Sequence, residues 1–268
     1  MISTNAPALD WYAATITRPE EHVLDHFATA LADERPVLTK PSNGYGHAWE
    51  LRREGRRCAL VSGGGQHDFP HVVGTGDDAP AVARLARSLP HRVSRVDVCV
   101  DTEVTGAYET LRTGLLTIAR ATGTKAREIT SPIDPTAGRT LYAGSPASEH
   151  MARLYEKGKQ LVSEERPGWV RYELQLKPQK GRKEWASTAS PLDLLGAAQW
   201  SRRFAAEHLG LDPARPPIRG RRVSDLDGAL DACASQYGGR LLELLALHGG
   251  DVDAWALDLL DRIAPRPA

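Results

Sequence analysis

Apolar positions along the chain fall into two alternating rhythms. Val96, Val98 and Val100 recur at every second position of the run 93–101, which predicts a strand with polar residues on its other face. Trp49–Arg52 and Cys58–Val61 flank Glu54-Gly55 and predict a hairpin; residues 140–143, 152–156 and 169–176 predict further strands. Val23, Leu24, Phe27 and Leu31 follow helical spacing, with Thr17 as the expected N-cap and Glu20 three residues on, so a helix is predicted over 18–33. Helices are also predicted over 79–88 and over 107–121, the latter carrying Leu111, Leu115 and Ile118. Beyond Pro191 the rhythm becomes helical, over 192–208, 226–247 and 251–263. The order, roughly βαββαβαβββ and then helices, predicts an α+β fold: an antiparallel or mixed central sheet with flanking helices, followed by a helical C-terminal region. The expected division is 1–190 and 191–268.

Composition adds little to this picture, but charge distribution changes it. The 268 residues are 41% hydrophobic and 25% charged, with 34 basic and 34 acidic side chains, an ordinary globular balance that argues against indiscriminate coating of nucleic acid. Locally the balance fails. Between Met151 and Lys183, Arg153, Lys157, Lys159, Arg166, Arg171, Lys177, Lys180, Arg182 and Lys183 face only Glu156, Glu164, Glu165 and Glu173. A second basic run is Arg215, Arg219, Arg221 and Arg222. No stretch has the length of a membrane span, and the N-terminus does not read as a signal peptide, so a cytoplasmic location is expected. Cys58, Cys99 and Cys233 form no CxxC pair and are expected to be buried free thiols. Gly63-Gly64-Gly65 and Gly74-Thr75-Gly76 fit no phosphate-loop pattern and read as turns.

Two groups of residues carry candidate chemistry. Asp97 and Asp101 lie four apart in a strand and so project from one face, alongside Arg95 and Cys99; Glu173 stands in the same relation to Arg171 and Gln175. If the two strands are neighbours, three carboxylates can share a divalent cation, and hard oxygen ligands suit Mg²⁺ or Mn²⁺; a structural network of Arg and Asp is the alternative. Arg153, Tyr155 and Lys157 share a strand face, where two cations are expected to lower the phenol's pKa and clamp a phosphate; an ordinary surface tyrosine is the alternative. Tyr142 is a second candidate nucleophile without flanking cations, His67 and His71 read as loop histidines, and Trp169, Trp185 and Trp49 are candidates for base stacking.

Taken in series, Arg95-Val96-Asp97 with Asp101, then Gly144-Ser145 leading to Arg153-Leu154-Tyr155-Glu156-Lys157, then Val170-Arg171-Tyr172-Glu173, resemble the replication initiation factor family, which comprises rolling-circle plasmid initiators and conjugative-element relaxases. A looser similarity reaches the gene II nicking protein of filamentous phages. The resemblance covers residues 90–180, and more weakly Asp10-Trp11-Tyr12 and Gly63-Gly64-Gly65. It implies a catalytic nicking, relaxase-like domain over 1–190, with Tyr155 as nucleophile, Lys157 as its electrostatic partner, and Asp97, Asp101 and Glu173 as ligands of Mg²⁺ or Mn²⁺. Arg95, Arg153, Arg171, Lys177, Lys180, Arg182 and Lys183 would contact DNA. The implied partners are single-stranded or cruciform origin DNA and a host helicase, since the sequence holds no Walker loop, with a homodimer as an allowed assembly. Two other classes stay open: a non-catalytic DNA-binding protein on the same fold, and a metal-dependent nuclease without a covalent intermediate.

Overall fold

The period-two rhythm is realised in one large antiparallel sheet. The computed structural model describes residues 2–134, 136–216 and 225–263. Among the described residues, ten strands pair in the order β2-β3-β4-β5-β1-β6-β10-β9-β8-β7. They are β1 (Ala8–Ile16), β2 (Val37–Thr39), β3 (His47–Arg53), β4 (Arg56–Gly63), β5 (His71–Thr75), β6 (His91–Thr102), β7 (Ala126–Ile129), β8 (Thr140–Gly144), β9 (His150–Tyr155) and β10 (Val170–Leu176). The β3–β4 hairpin turns on Glu54 and Gly55, both left-handed at φ 53° and 72°, the conformation a two-residue turn of this hand requires. β6 is central, flanked by β1 and β10.

Helices supply the cover for one face. α1 (Glu20–Leu31), α2 (Ala79–Arg87) and α3 (Ala107–Thr122) bury Phe27, Val82 and Leu115 in the same apolar core as Val96, Val98, Tyr172 and Leu174. α4 (Lys157–Gln160) is a single turn between β9 and β10, and α5 (Arg182–Thr188), α6 (Pro191–Leu195) and α7 (Gln199–Phe204) follow β10, the last running into a π-helical turn at Ala205–Leu209. Each fully buried aliphatic or aromatic side chain contributes about 1.5–3 kcal/mol.

The chain divides into two compact units, Met1–Pro217 and Ile218–Ala268, so the helices from Pro191 to Leu209 lie within the first unit, past the division expected at 190. In the second unit, α8 (Asp225–Leu247) and α9 (Val252–Ile263) form a hairpin pinned by Trp255 Nε1 donating to the Leu241 carbonyl (3.1 Å) and by His248 with Asp258 (3.0 Å). Arg219, Arg221 and Arg222 lie outside the described residues. Among the described residues no helix is long and apolar enough to cross a membrane.

Several expectations need correction. Thr17 does not cap α1: its hydroxyl donates to the Pro90 carbonyl (3.1 Å), and the helix starts behind Pro19 with no side-chain cap. The expected helix 192–208 is three pieces, because Gly196 ends α6 where an added Cβ would meet the Ala214 carbonyl oxygen at 2.3 Å. His71 is not a loop residue but opens β5, with Pro70 just outside the ladder where a missing N–H costs nothing. Gly74 is likewise in β5, so Gly74-Thr75-Gly76 is not wholly a turn. Cys58 and Cys99 are buried, but Cys233 is exposed.

Candidate active site on the polar face of the sheet

Register decides which side chains meet. Facing residues of an antiparallel pair project to the same side. β10 sets Arg171, Glu173 and Gln175 opposite Asp101, Cys99 and Asp97 of β6, and sets Arg171 and Glu173 opposite Tyr155 and Arg153 of β9. Trp11 of β1 faces Asp97. The acidic, tyrosine and glutamate segments of the sequence therefore converge on one face, while Tyr172, Leu174 and Leu176 point to the helices. A register shift between Leu9 and Trp11 leaves Asp10 as the extra residue of a bulge, and its carboxylate joins this face by pairing with Arg171.

The carboxylates sort into two clusters, each closed by guanidinium groups. In the first, Arg95 grips Asp97 with two donors, one of them Nε to Oδ1 at 2.8 Å, while Arg153 Nη2 bridges Asp97 Oδ2 (3.2 Å) and Glu173 Oε1. The Tyr155 hydroxyl donates to Glu173 Oε2 at 3.1 Å. In the second, Arg171 donates twice to Asp101 (both 2.7 Å) and once to Asp10. Asp101 is thus held apart from Asp97 and Glu173, and the expected three-carboxylate centre is not assembled. Among the described residues no group of three or more His, Cys, Asp or Glu side chains is arranged to hold a metal ion.

Residues 92–198 match the replication initiation factor family. Over that stretch the chain is similar to the family's domain. The stretch contains Asp97, Asp101, Tyr155, Lys157 and Glu173; Asp10 and Trp11 precede it. The fold is shared with a rolling-circle replication initiator protein from Geobacillus stearothermophilus, at a TM-score of 0.56 and 19% identity, over 79% of this chain and 99% of that one. No curated protein matches.

Within the matched stretch, electrostatics differ from what flanking residues suggest. The Tyr155 phenol is pushed up, not down: burial is the largest cause and the Glu173 charge adds to it, outweighing Arg171. Glu173 is also raised well above the ordinary carboxylate range by burial, with Asp97 and Asp10 adding and Arg153 opposing. Lys157 is not on the strand but opens α4, where burial and then the Arg171 charge lower its pKa. Its Nζ lies 4.7 Å from the Trp169 ring centroid, and Arg166 and Arg171 stand over the same ring at 3.8 and 5.4 Å. Trp169 is thereby a holder of cations rather than an open stacking surface; Trp49 meets His47 edge-on, and Trp185 is half-buried against the core.

The remaining candidates are dispersed. Arg95, Arg153 and Arg171 are committed to carboxylates. Lys177, Lys180, Arg182 and Lys183 follow the far end of β10, roughly 20 Å from Tyr155 at about 3.3 Å per residue; Lys177 donates to the Pro146 carbonyl (3.0 Å) and Arg182 to His150 (3.0 Å). Tyr142 faces Arg153 across β8 and β9 with Arg127 5.5 Å from its ring, so it does have cationic neighbours. Sequence reasoning missed Asp10, and only the weak similarity of Asp10-Trp11-Tyr12 hinted at it. The ring N–H groups of Trp11 and Trp169 and the Arg153 Nε–H are buried without a partner, leaving donors on this face for an acceptor such as a phosphate oxygen.

Proposed function

We propose that the chain is a rolling-circle replication initiator or relaxase that nicks and rejoins single-stranded origin DNA through a 5′-phosphotyrosine on Tyr155. The observation that carries the reading is the Tyr155 hydroxyl already donating to Glu173 Oε2 beside the Arg153–Asp97 pair. Burial keeps the phenol protonated at rest, so attack needs a proton acceptor, and Glu173 Oε2 is in place to take the proton. The phenol oxygen then bonds to phosphorus, the P–O3′ bond breaks, and the departing oxygen takes up a proton to become a 3′-OH that a polymerase can extend. The ester keeps the energy of the cut bond, and the reverse step rejoins the strand. Arg153 Nε–H and Lys157 would be the donors that meet the phosphate.

A divalent cation would take the place of a guanidinium group in the first cluster. The Arg153 guanidinium bridges Asp97 Oδ2 and Glu173 Oε1, two hard oxygen donors sharing one positive group, and Mg²⁺ is commonly held by one or two carboxylates plus substrate phosphate. Asp97 and Glu173 would hold Mg²⁺ or Mn²⁺ once Arg153 turns to the DNA; when bound, the ion neutralises a non-bridging phosphate oxygen. Asp101 instead fixes Arg171. A host helicase would unwind the DNA behind the nick, and a homodimer is the assembly to look for by light scattering.

The test is a labelled origin oligonucleotide incubated with protein and Mn²⁺. A covalent adduct mapped by mass spectrometry to the Tyr155 peptide is expected. Cleavage without adduct would favour a metal-dependent nuclease, and binding without cleavage a non-catalytic DNA-binding protein.

A further inference from the structure

The polar face continues away from Tyr155 to a group of aromatic rings that precedes the matched stretch. Along β5, His71 faces Thr15 of β1, and alternation carries the same side through Ala13 to Trp11, which faces Asp97. Tyr45 stacks with His67 at 4.0 Å and 26°, and with His71 at 5.9 Å and 25°. His71 is fixed by Ser94 Oγ (2.8 Å) and His67 by the Asn43 carbonyl (2.8 Å). The loops that present the rings are locked together: Gly46 N donates to the Gly63 carbonyl (3.0 Å), Gln66 N to the Gly44 carbonyl (3.2 Å), and an added Cβ on Gly65, which sits at φ 70°, would meet the Gly44 oxygen at 2.4 Å. Only glycine fits there. The stack is thus preorganised, and its outer member His67 is exposed; Phe69, two residues on in the chain, is 43% exposed.

We infer that this ring stack is a base-stacking platform for the single strand whose scissile phosphate lies at Tyr155. The inference rests on the proposed nicking function for its ligand, and on the continuity of one polar sheet face for its path. Rings accept any base through its π-face, so the contact tolerates sequence. From Tyr155 to His71 is roughly 30 Å along the strands and about 19 Å across them. That diagonal of roughly 35 Å corresponds to on the order of ten stacked nucleotides at about 3.4 Å each. Trp11, with Arg95 4.2 Å above its ring, lies between the two ends.

Length dependence tests this. Fluorescein-labelled oligonucleotides of about 6 and about 16 nucleotides, a range single-strand sites span, would be extended on either side of the nick and titrated by anisotropy. His67→Ala should weaken binding of the long oligonucleotide roughly tenfold on one side only, leave the short one unchanged, and leave the Tyr155 adduct on the short one intact. His67→Phe, which keeps a ring, should restore affinity. Equal affinity of wild type and His67→Ala for every oligonucleotide, or an equal loss for short and long, would overturn the platform. If the wild type forms no adduct yet the length-dependent loss appears, the platform stands and the nicking reading falls; an adduct with no effect of His67→Ala does the reverse.

Discussion

All seven residues of β10 are buried, yet its two faces are buried in opposite ways. Tyr172, Leu174 and Leu176 turn to the helices, where the Tyr172 hydroxyl meets Ser201 Oγ (2.9 Å) and its ring lies 4.7 Å from Phe204. Arg171, Glu173 and Gln175 turn to the other sheet face, where Asp10, Asp97, Asp101 and Arg153 crowd around them and the Trp169 ring lies 5.4 Å from the Arg171 guanidinium. The first face stabilises through area removed from water. The second desolvates charges, and the attraction between buried ions often fails to recover that cost against an apolar alternative. Such a cost beside a conventional core is what the proposed chemistry on this face would account for.

The comparison breaks most completely at Tyr155. Tyr155→Phe should lower nicking by on the order of 10⁴-fold or more, because a lost nucleophile has no substitute. The hydroxyl's bond to Glu173 is worth only about 1 kcal/mol to the fold, so the urea midpoint should barely move. A variant that nicks normally would remove Tyr155 from the site.

Next come paired substitutions on β10. Arg171→Met leaves Asp101 and Asp10 without their cation and should cost about 3–5 kcal/mol; adding Asp10→Asn and Asp101→Asn should return much of it. Leu174→Ala should cost about 3 kcal/mol through lost burial and a cavity, with no second substitution among the ions able to compensate. Denaturation of these variants separates the faces: an Arg171→Met loss that the double Asn change fails to recover would mean that packing, not charge, governs both.

How much of this was visible in the sequence follows the same divide. β6, the β3–β4 hairpin, α2 and α3 were legible because alternation or helical spacing is strong there. β2, β5 and β7 were not: β2 and β7 are three and four residues long, too short for a period to show, and β5 is masked by Pro70 before it and Gly74 within it. The candidate residues were legible as types, and the structure brings Asp97, Glu173, Arg153 and Tyr155 together. Their pairings were not legible, since which carboxylate meets which guanidinium depends on the order β1-β6-β10-β9 and on the bulge that turns Asp10 inward. Tyr155 shows the cost: adjacent cations suggested a lowered pKa, but burial and Glu173 from the neighbouring strand prevail.

Acid should expose a third region. Burial, then the charge of His67, lowers His71 to about 4; burial also depresses His91 and His150. A histidine whose folded pKa is depressed binds more protons when unfolded, so stability is lost as pH falls from about 6.5 towards 4. His71 alone should remove about 2 kcal/mol by pH 5. Urea midpoints at pH 7 and pH 5 check this, and His71→Gln should flatten the difference; an unchanged slope would mean that His71 titrates normally.

The smallest effect concerns the cations at the far end of β10, which belong to neither face. Lys177 and Arg182 already engage Pro146, Glu149 and His150, whereas Lys180 is exposed at a left-handed turn with φ 45°. Long-range attraction to a phosphate chain does not require a fixed partner, so these side chains are expected to meet DNA as point charges and not as readers of bases. Replacing Lys180 and Lys183 by Ala should weaken binding to all sequences alike and make the slope of log affinity against log salt shallower by roughly 0.7 for each single-strand phosphate that is no longer neutralised. Nicking at saturating DNA should not change, because Tyr155, Glu173 and Arg153 are untouched. Titrations at several salt concentrations give both quantities. An unchanged slope would place the strand's path away from this end of β10; a sequence-dependent loss would mean that these lysines read bases after all.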